Sequence, residues 1–276
     1  MKKSTLAEFR ASLLATGAYE TPAACRPKKV RKPGWLTTLG FTISSFGVFP
    51  RCSIAQNFGT LNQEKWASIC YDTIRKAESY GSVFTAEGWK NRENHKGPVV
   101  YLSNHMSTLE TIILPFVLNT YGPISIVVKQ SLAHLPGLEV AAKTLKLIPI
   151  GRANPREDLM TIFEQGQANI KEGYSVLIFA QGTRVPVFAR KGWSSIGTKL
   201  AEKAGVPVVP IAVKTDLQVT RPGSKGWARD FGTVDPSRDV RVACGPVLTG
   251  SSREMHKASF DWIAAKVASW GLPVEE

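Results

Sequence analysis

Long uninterrupted apolar runs are missing from this sequence. No stretch reaches the roughly 18 consecutive apolar residues that a membrane-spanning helix requires. Cysteine is sparse as well. Cys25, Cys52, Cys70 and Cys244 form no C-x-x-C pair and do not group with histidine, which argues against a disulfide framework or a zinc site and for free thiols. His95, His134 and His256 stand at no metal-ligand spacing and read as surface or packing residues. No G-x-x-x-x-G-K-[ST] or G-x-G-x-x-G occurs, so nucleotide-binding loops have no support. The stretch Gly192-Trp193-Ser194-Ser195-Ile196-Gly197 is one residue too long for the serine-hydrolase elbow. Acidic residues are few: 22 Asp and Glu face 35 Lys and Arg, a net charge of +13, which suits a nucleic acid, an anionic membrane surface or a phosphorylated substrate. Glu8, Arg10 and Glu20 break the apolar character after Met-Lys-Lys, so a secretory signal peptide is not expected.

What is present is ordinary globular material: 276 residues, 43% hydrophobic and 21% charged. Two parts are expected, a basic, amphipathic membrane-binding segment over 1–60 and a domain over 61–276. The first 34 residues carry eight Lys/Arg against Glu8 and Glu20, and Leu6, Phe9, Leu13 and Leu14 share one face of a short helix. The apolar stretch from Trp35 to Phe49 lies between Lys32 and Arg51; as one helix it would span about 22 Å, too short to cross a bilayer. Two readings stand: an interfacial anchor with basic flanks on anionic headgroups, or a solvated basic tail followed by a core hairpin. Leu61 to Tyr80 reads as a helix with Trp66, Ile69, Ile74 and Ala77 on its packing face.

From Val99 onward strands and helices alternate. Strands are expected at 99–102, 124–128, 147–150, 176–179 and 206–213, with a weaker one at 240–244. Helices are expected at 108–120, 137–145, 155–171 and 193–204. Asn154-Pro155-Arg156-Glu157 carries a cap, a first-turn proline and an acid, and Ser251-x-x-Glu254 opens a last helix that Gly271 and Pro273 end. The fold class is α/β: a layered domain with a central, mostly parallel sheet flanked by helices, preceded by an N-terminal helical membrane-binding segment. In such sheets functional groups gather at strand ends.

The stretch Val99 to Glu110 ends a strand on Asn104-His105 and starts a helix, a place where side chains reach a cleft. A neutral imidazole there can take a proton from an alcohol, and Glu110 on its other nitrogen would fix the tautomer. Glu110 has a second reading: with Ser107 it forms a capping box, its carboxylate bonding back to the Ser107 amide. Phe179 to Arg184 follows another strand. Gly182 permits close approach to a ligand, while Thr183 and Arg184 offer donors suited to phosphate; an ordinary glycine turn with a surface arginine is the plainer alternative. Gly151-Arg152 precedes a helix N-terminus and is either an anion site or a surface charge.

In this order, the blocks Asn104-His105-x4-Glu110, Gly151-Arg152, Phe179 to Arg184 and Val206-Pro207-Val208-Val209-Pro210 resemble the glycerolipid acyltransferase family over roughly residues 95–250. That family carries Asn-His-x4-Asp, a basic segment, Phe-Pro-Glu-Gly-Thr-Arg and an apolar Val-Pro block. The resemblance implies transfer of a fatty acyl group from acyl-CoA or acyl carrier protein, as co-substrate and with no cofactor or metal, to the hydroxyl of a lysophospholipid such as 1-acylglycerol-3-phosphate. It implies His105 as base with Glu110 as partner. Asn104, Ser107, Lys129, Arg152, Gln181, Gly182, Thr183, Arg184 and Lys191 would bind substrate. It also implies peripheral or monotopic attachment to anionic lipid at the cytoplasmic face of the inner membrane, with no nucleic-acid partner. Two departures bear on the acceptor. Glu110 stands where Asp is usual, as in the late acyltransferases of lipid A, and the uncharged Gln181 stands where Glu is usual. Acylation of a lyso-ornithine or saccharide lipid, or lipid binding without catalysis, are the rival readings.

Overall fold

The alternating middle of the chain folds, in a computed structural model, around one eight-stranded sheet. The structure describes residues 3–133, 138–151, 153–219 and 232–275. Its strands are β1 (Tyr19–Glu20), β2 (Phe84–Glu87), β3 (Val100–Ser103), β4 (Ile124–Lys129), β5 (Ile148–Ile150), β6 (Ser175–Phe179), β7 (Phe188–Ala189), β8 (Val208–Lys214), β9 (Gln218–Val219), β10 (Thr233–Val234), β11 (Val240–Cys244) and β12 (Val274–Glu275). The helices are α1 (Leu6–Thr16), α2 (Trp35–Phe46), α3 (Val48–Asn57), α4 (Gln63–Tyr80), α5 (Lys90–Glu93), α6 (Leu109–Leu118), α7 (Gln130–Ala133), α8 (Leu138–Thr144), α9 (Pro155–Lys171), α10 (Ile196–Ala204) and α11 (Ser252–Ser269).

The main sheet runs β1-β2-β11-β8-β3-β6-β4-β5. Its pairs from β8 through β3, β6 and β4 to β5 are parallel, as is β2–β11, while β1–β2 and β8–β11 are antiparallel. The pleat divides the apolar strand residues between two cores. Tyr101, Leu177, Val209 and Ile211 face the layer of α1–α4 and α6, while Val100, Leu102, Val176 and Ile178 face α9, α10 and α11. The central strands are thus buried on both faces, which is why they read as unbroken apolar runs.

Local chemistry sets the helix ends. Asn154 accepts from the amides of Arg156 and Glu157 with Pro155 in the first turn, and Ser251 with Glu254 forms the expected capping box. α10 starts later than expected, at Ile196, because Trp193 bridges back to Gln181 after a turn at Gly192, whose φ of +89° suits glycine. The stretch 35–49 is not one helix. Pro50 lacks the amide that would bond the carbonyl of Phe46, so α2 ends there and α3 begins with the proline in its first turn.

The first 60 residues pack closely on this framework. β1 pairs with β2 in the main sheet, and α1 buries Phe9 and Leu13 completely while Leu14 stays exposed, so most of its apolar face is spent on the core. The buried Glu78 of α4 accepts hydrogen bonds from Ser4 (3.0 Å), Thr21 (2.9 Å) and Tyr19 (3.2 Å), tying residues 4–21 to α4; burial pushes its carboxyl above the usual range. Exposed apolar side chains concentrate instead on and around α2 and α3: Trp35 is 73% exposed, Ile43 64% and Phe58 79%. Among the described residues no helix is long and apolar enough to cross a membrane.

Candidate active site

The parallel strands β3, β4, β5, β6 and β8 end on one edge of the sheet, and the residues that follow them build the site. The Asn104 side chain is buried and bonded within the protein. Its amide donates to the Val213 carbonyl (2.9 Å) and accepts from the Val213 amide (2.8 Å), pinning the β3 exit to β8. The backbone of His105 is held from the other side, its amide donating to Gln181 Oε1 (2.9 Å) and its carbonyl accepting from Val185 (3.0 Å). The His105 ring stacks on Phe179 with centroids 4.4 Å apart. These supports leave the imidazole little freedom of position.

Glu110, fully buried at the start of α6, lies 2.8 Å from His105 Nδ1 through Oε1, which also accepts from the amides of Met106 and Ser107. The orienting and capping readings of Glu110 therefore hold together, through one oxygen. Oε2 accepts from the Thr215 hydroxyl at 2.6 Å and lies 2.8 Å from the Ser107 hydroxyl. Burial alone would raise this carboxyl. The hydrogen bond and attraction of His105, the Thr215 hydroxyl and the Ser107 amide outweigh it and hold Glu110 below the usual carboxylate range. An ionised partner on Nδ1 assigns that nitrogen the proton and leaves Nε2 as the basic atom.

His105 lines a cavity of about 350 Å³. Its walls are largely apolar and come from the α2–α3 turn, α4, α8 and β4, with Trp66, Ile112 and Leu145 among them. Cys52 and Cys70, far apart in sequence, meet on this wall; burial pushes the Cys52 thiol up to about 11 and Cys70 well above its ordinary value, so both stay neutral. The polar part of the lining carries Lys129, Thr108, Thr183 and Arg184, and Arg184 donates a hydrogen bond to Thr108.

The expected residues thus separate by position. Lys129, Thr183 and Arg184 share the cavity lining with His105. Gly182 is exposed, and a Cβ there would meet nothing within 4 Å, so packing does not demand glycine. Ser107 and Gln181 are buried and bonded within the protein, and Lys191 is exposed beyond the cavity lining. Gly151 follows β5, next to the strand that ends at Lys129, and its amide donates to Asp158. Arg152 and His134 lie outside the described residues. Thr215 is a site residue that the motif reading passed over; its signal was modest, a hydroxyl just beyond the end of an apolar strand.

A buried His–Glu pair at parallel strand ends, facing an apolar cavity with cationic groups in its lining, suits proton abstraction from a hydroxyl of an amphipathic, anionic ligand. Residues 83–214, just under half of the chain, match the family described as Acyltransferase. The chain is 34% identical over 177 residues to the 1-acyl-sn-glycerol-3-phosphate acyltransferase of Pseudomonas aeruginosa, covering 62% of this chain and 64% of that protein. It is 27% identical over 190 residues to the chloroplastic 1-acyl-sn-glycerol-3-phosphate acyltransferase BAT2 of Brassica napus, covering 69% and 50%. The chain thus spans between half and just under two thirds of the length of these relatives. Its fold matches the crystal structure of the 1-acyl-sn-glycerophosphate (LPA) acyltransferase PlsC from Thermotoga maritima, with a TM-score of 0.63 at 18% identity over 86% of this chain and 95% of that one. Over these residues the chain is similar in sequence to the glycerolipid acyltransferases, and it shares the fold of PlsC.

Proposed function

We propose that this protein transfers a fatty acyl group from acyl-CoA or acyl carrier protein to the hydroxyl of a lysophospholipid, with 1-acylglycerol-3-phosphate as acceptor and phosphatidate as product. The observation that carries this reading is His105, bonded through Nδ1 to a buried carboxylate 2.8 Å away, on the wall of an apolar cavity that Thr183, Arg184 and Lys129 also line. Nε2 takes the acceptor's hydroxyl proton as its oxygen attacks the thioester carbonyl. The new C–O bond forms, the C–S bond breaks, and the leaving thiolate recovers the proton from the imidazolium that Glu110 has stabilised. No covalent acyl-enzyme is needed. Lys129, Thr183 and Arg184 supply donors for the acceptor's phosphate, and the apolar walls suit an acyl chain.

Gln181 is compatible with this reading. Its amide serves the backbone of His105, so the lost charge is accounted for within the protein. Membrane attachment is part of the proposal: the exposed apolar residues of α2 and α3 lie on the helices whose Phe46 and Phe49 line the cavity, and the basic run 26–32 precedes them. Docked on the cytoplasmic leaflet, these helices would bring the cavity to the bilayer that holds the acceptor.

The test is release of free CoA thiol with lysophosphatidate and acyl-CoA, with the lipid product weighed by mass spectrometry. His105→Ala is expected to lower turnover by about 10² or more. Transfer at the wild-type rate in that variant rejects the mechanism.

A further inference from the structure

Most donors that hold the Glu110 carboxylate belong to the segment it faces. Oε1 takes His105 Nδ1 (2.8 Å), the Met106 amide and the Ser107 amide (2.7 Å), all from residues 105–107 just before α6. Oε2 lies 2.8 Å from the Ser107 hydroxyl of that same segment. Thr215 differs. Among the described residues it is the donor to Glu110 that comes from another element, from just beyond the end of β8, 105 residues away and fully buried.

Thr215 is itself held in place. Asn104 clamps Val213 two residues before it, and its neighbour Lys214 is paired with Asp216 (2.7 Å) and Asp239 (3.0 Å). The Ser107 hydroxyl lies 3.0 Å from Thr215 Oγ1, so the two hydroxyls and Oε2 form a closed triangle. Without the Thr215 hydroxyl, Oε2 would keep only the Ser107 hydroxyl, which comes from the same segment as the Oε1 donors. The carboxylate would then be held from that segment alone, with nothing tying it to the end of β8. A rotation that carries Oε1 off Nδ1 releases the tautomer that makes Nε2 basic.

We propose that Thr215 is a positioning residue for acyl transfer: its hydroxyl locks the Glu110 carboxylate against the sheet edge and so fixes His105 as an Nε2 base. This rests on the function proposed above. It also gives a use to the longer side chain at position 110, which spans from the His105 turn to the end of β8.

The test compares Thr215→Val, which keeps the shape and removes the hydroxyl, with Thr215→Ser, which keeps the hydroxyl and removes the methyl, alongside His105→Ala. Loss of one hydrogen bond to a charged group is expected to lower kcat about tenfold in Thr215→Val. KM for both substrates should stay within about twofold, since no substrate contact is lost. The acid limb of the kcat–pH profile should move to higher pH, because one bond fewer opposes the effect of burial on Glu110. Thr215→Ser should restore both the rate and the profile. A packing role alone would make Ser the worse variant and leave the profile in place, which would overturn the proposal. So would wild-type kcat in Thr215→Val. Should that variant not fold, Thr215→Ala against Thr215→Ser gives the same contrast. Full activity in His105→Ala would bring down the proposed function as well; a dead His105→Ala beside a wild-type Thr215→Val would overturn only the role of Thr215.

Discussion

Glu110→Asp would install the residue usual in the glycerolipid acyltransferases, and in this chain it is expected to lower the proposed turnover. Removing one methylene withdraws the carboxyl by about 1.5 Å. The contacts of 2.8 Å to His105 and 2.6 Å to Thr215 would then open beyond hydrogen-bond range unless α6 moved toward them. That movement is opposed by packing, since Leu109, Ile113 and Leu114 of α6 are fully buried in the core. A hydrogen bond to a charged group is worth about 1.5–3 kcal/mol, so losing the His105 bond should lower kcat by about 10- to 150-fold. KM should change little, because the carboxylate is out of reach of substrate. The assay is steady-state thiol release under saturating acceptor and donor, with Glu110→Gln as the uncharged comparison. Equal or faster turnover in Glu110→Asp would refute the reasoning, for it would mean that the length of this side chain does not set the geometry of the pair.

Two further outcomes are expected. The Glu110 carboxyl titrates lower in the folded protein than the ordinary value of 4.5, so its stabilising contribution is complete above that pH. As pH falls below 4.5 the unfolded chain takes the proton first, and the contribution drains until the folded value is passed. The gap in urea midpoint between wild type and Glu110→Gln should therefore narrow on acidification, and a gap constant with pH would contradict the depressed carboxyl. At the surface, Trp35→Ser, Ile43→Ser and Phe58→Ser together remove side chains each worth about 1.5–3 kcal/mol when fully transferred from water, so partitioning onto anionic vesicles should fall by at least about 10². Cosedimentation like the wild type would place membrane contact elsewhere.

What was legible in the sequence was whatever local pattern determines. The doubly buried strands announced themselves as apolar runs, and Asn154-Pro155 and Ser251-x-x-Glu254 fixed their helix starts, because caps and pleats act over a few residues. The His105–Glu110 pair was legible for the same reason, lying within one strand-to-helix turn. The direction in which α1 would turn its apolar face was not, since Phe9 is claimed by Tyr19, Tyr71, Phe84 and Phe116, rings brought together only by the tertiary fold.

The order of strands marks the limit most sharply. Nothing in the pattern says that β8 lies beside β3, yet that adjacency lets Asn104 clamp Val213 and brings Thr215 to Glu110. It also gives Gln181 a place beside the base. With β6 on the other flank of β3, the residue leaving β6 lies against the one leaving β3, and the Gln181 side-chain oxygen meets the His105 amide. An oxygen suffices for that bond, and either a glutamate or a glutamine offers one. The substitution that looked like a change of acceptor is then a change within the support of the base.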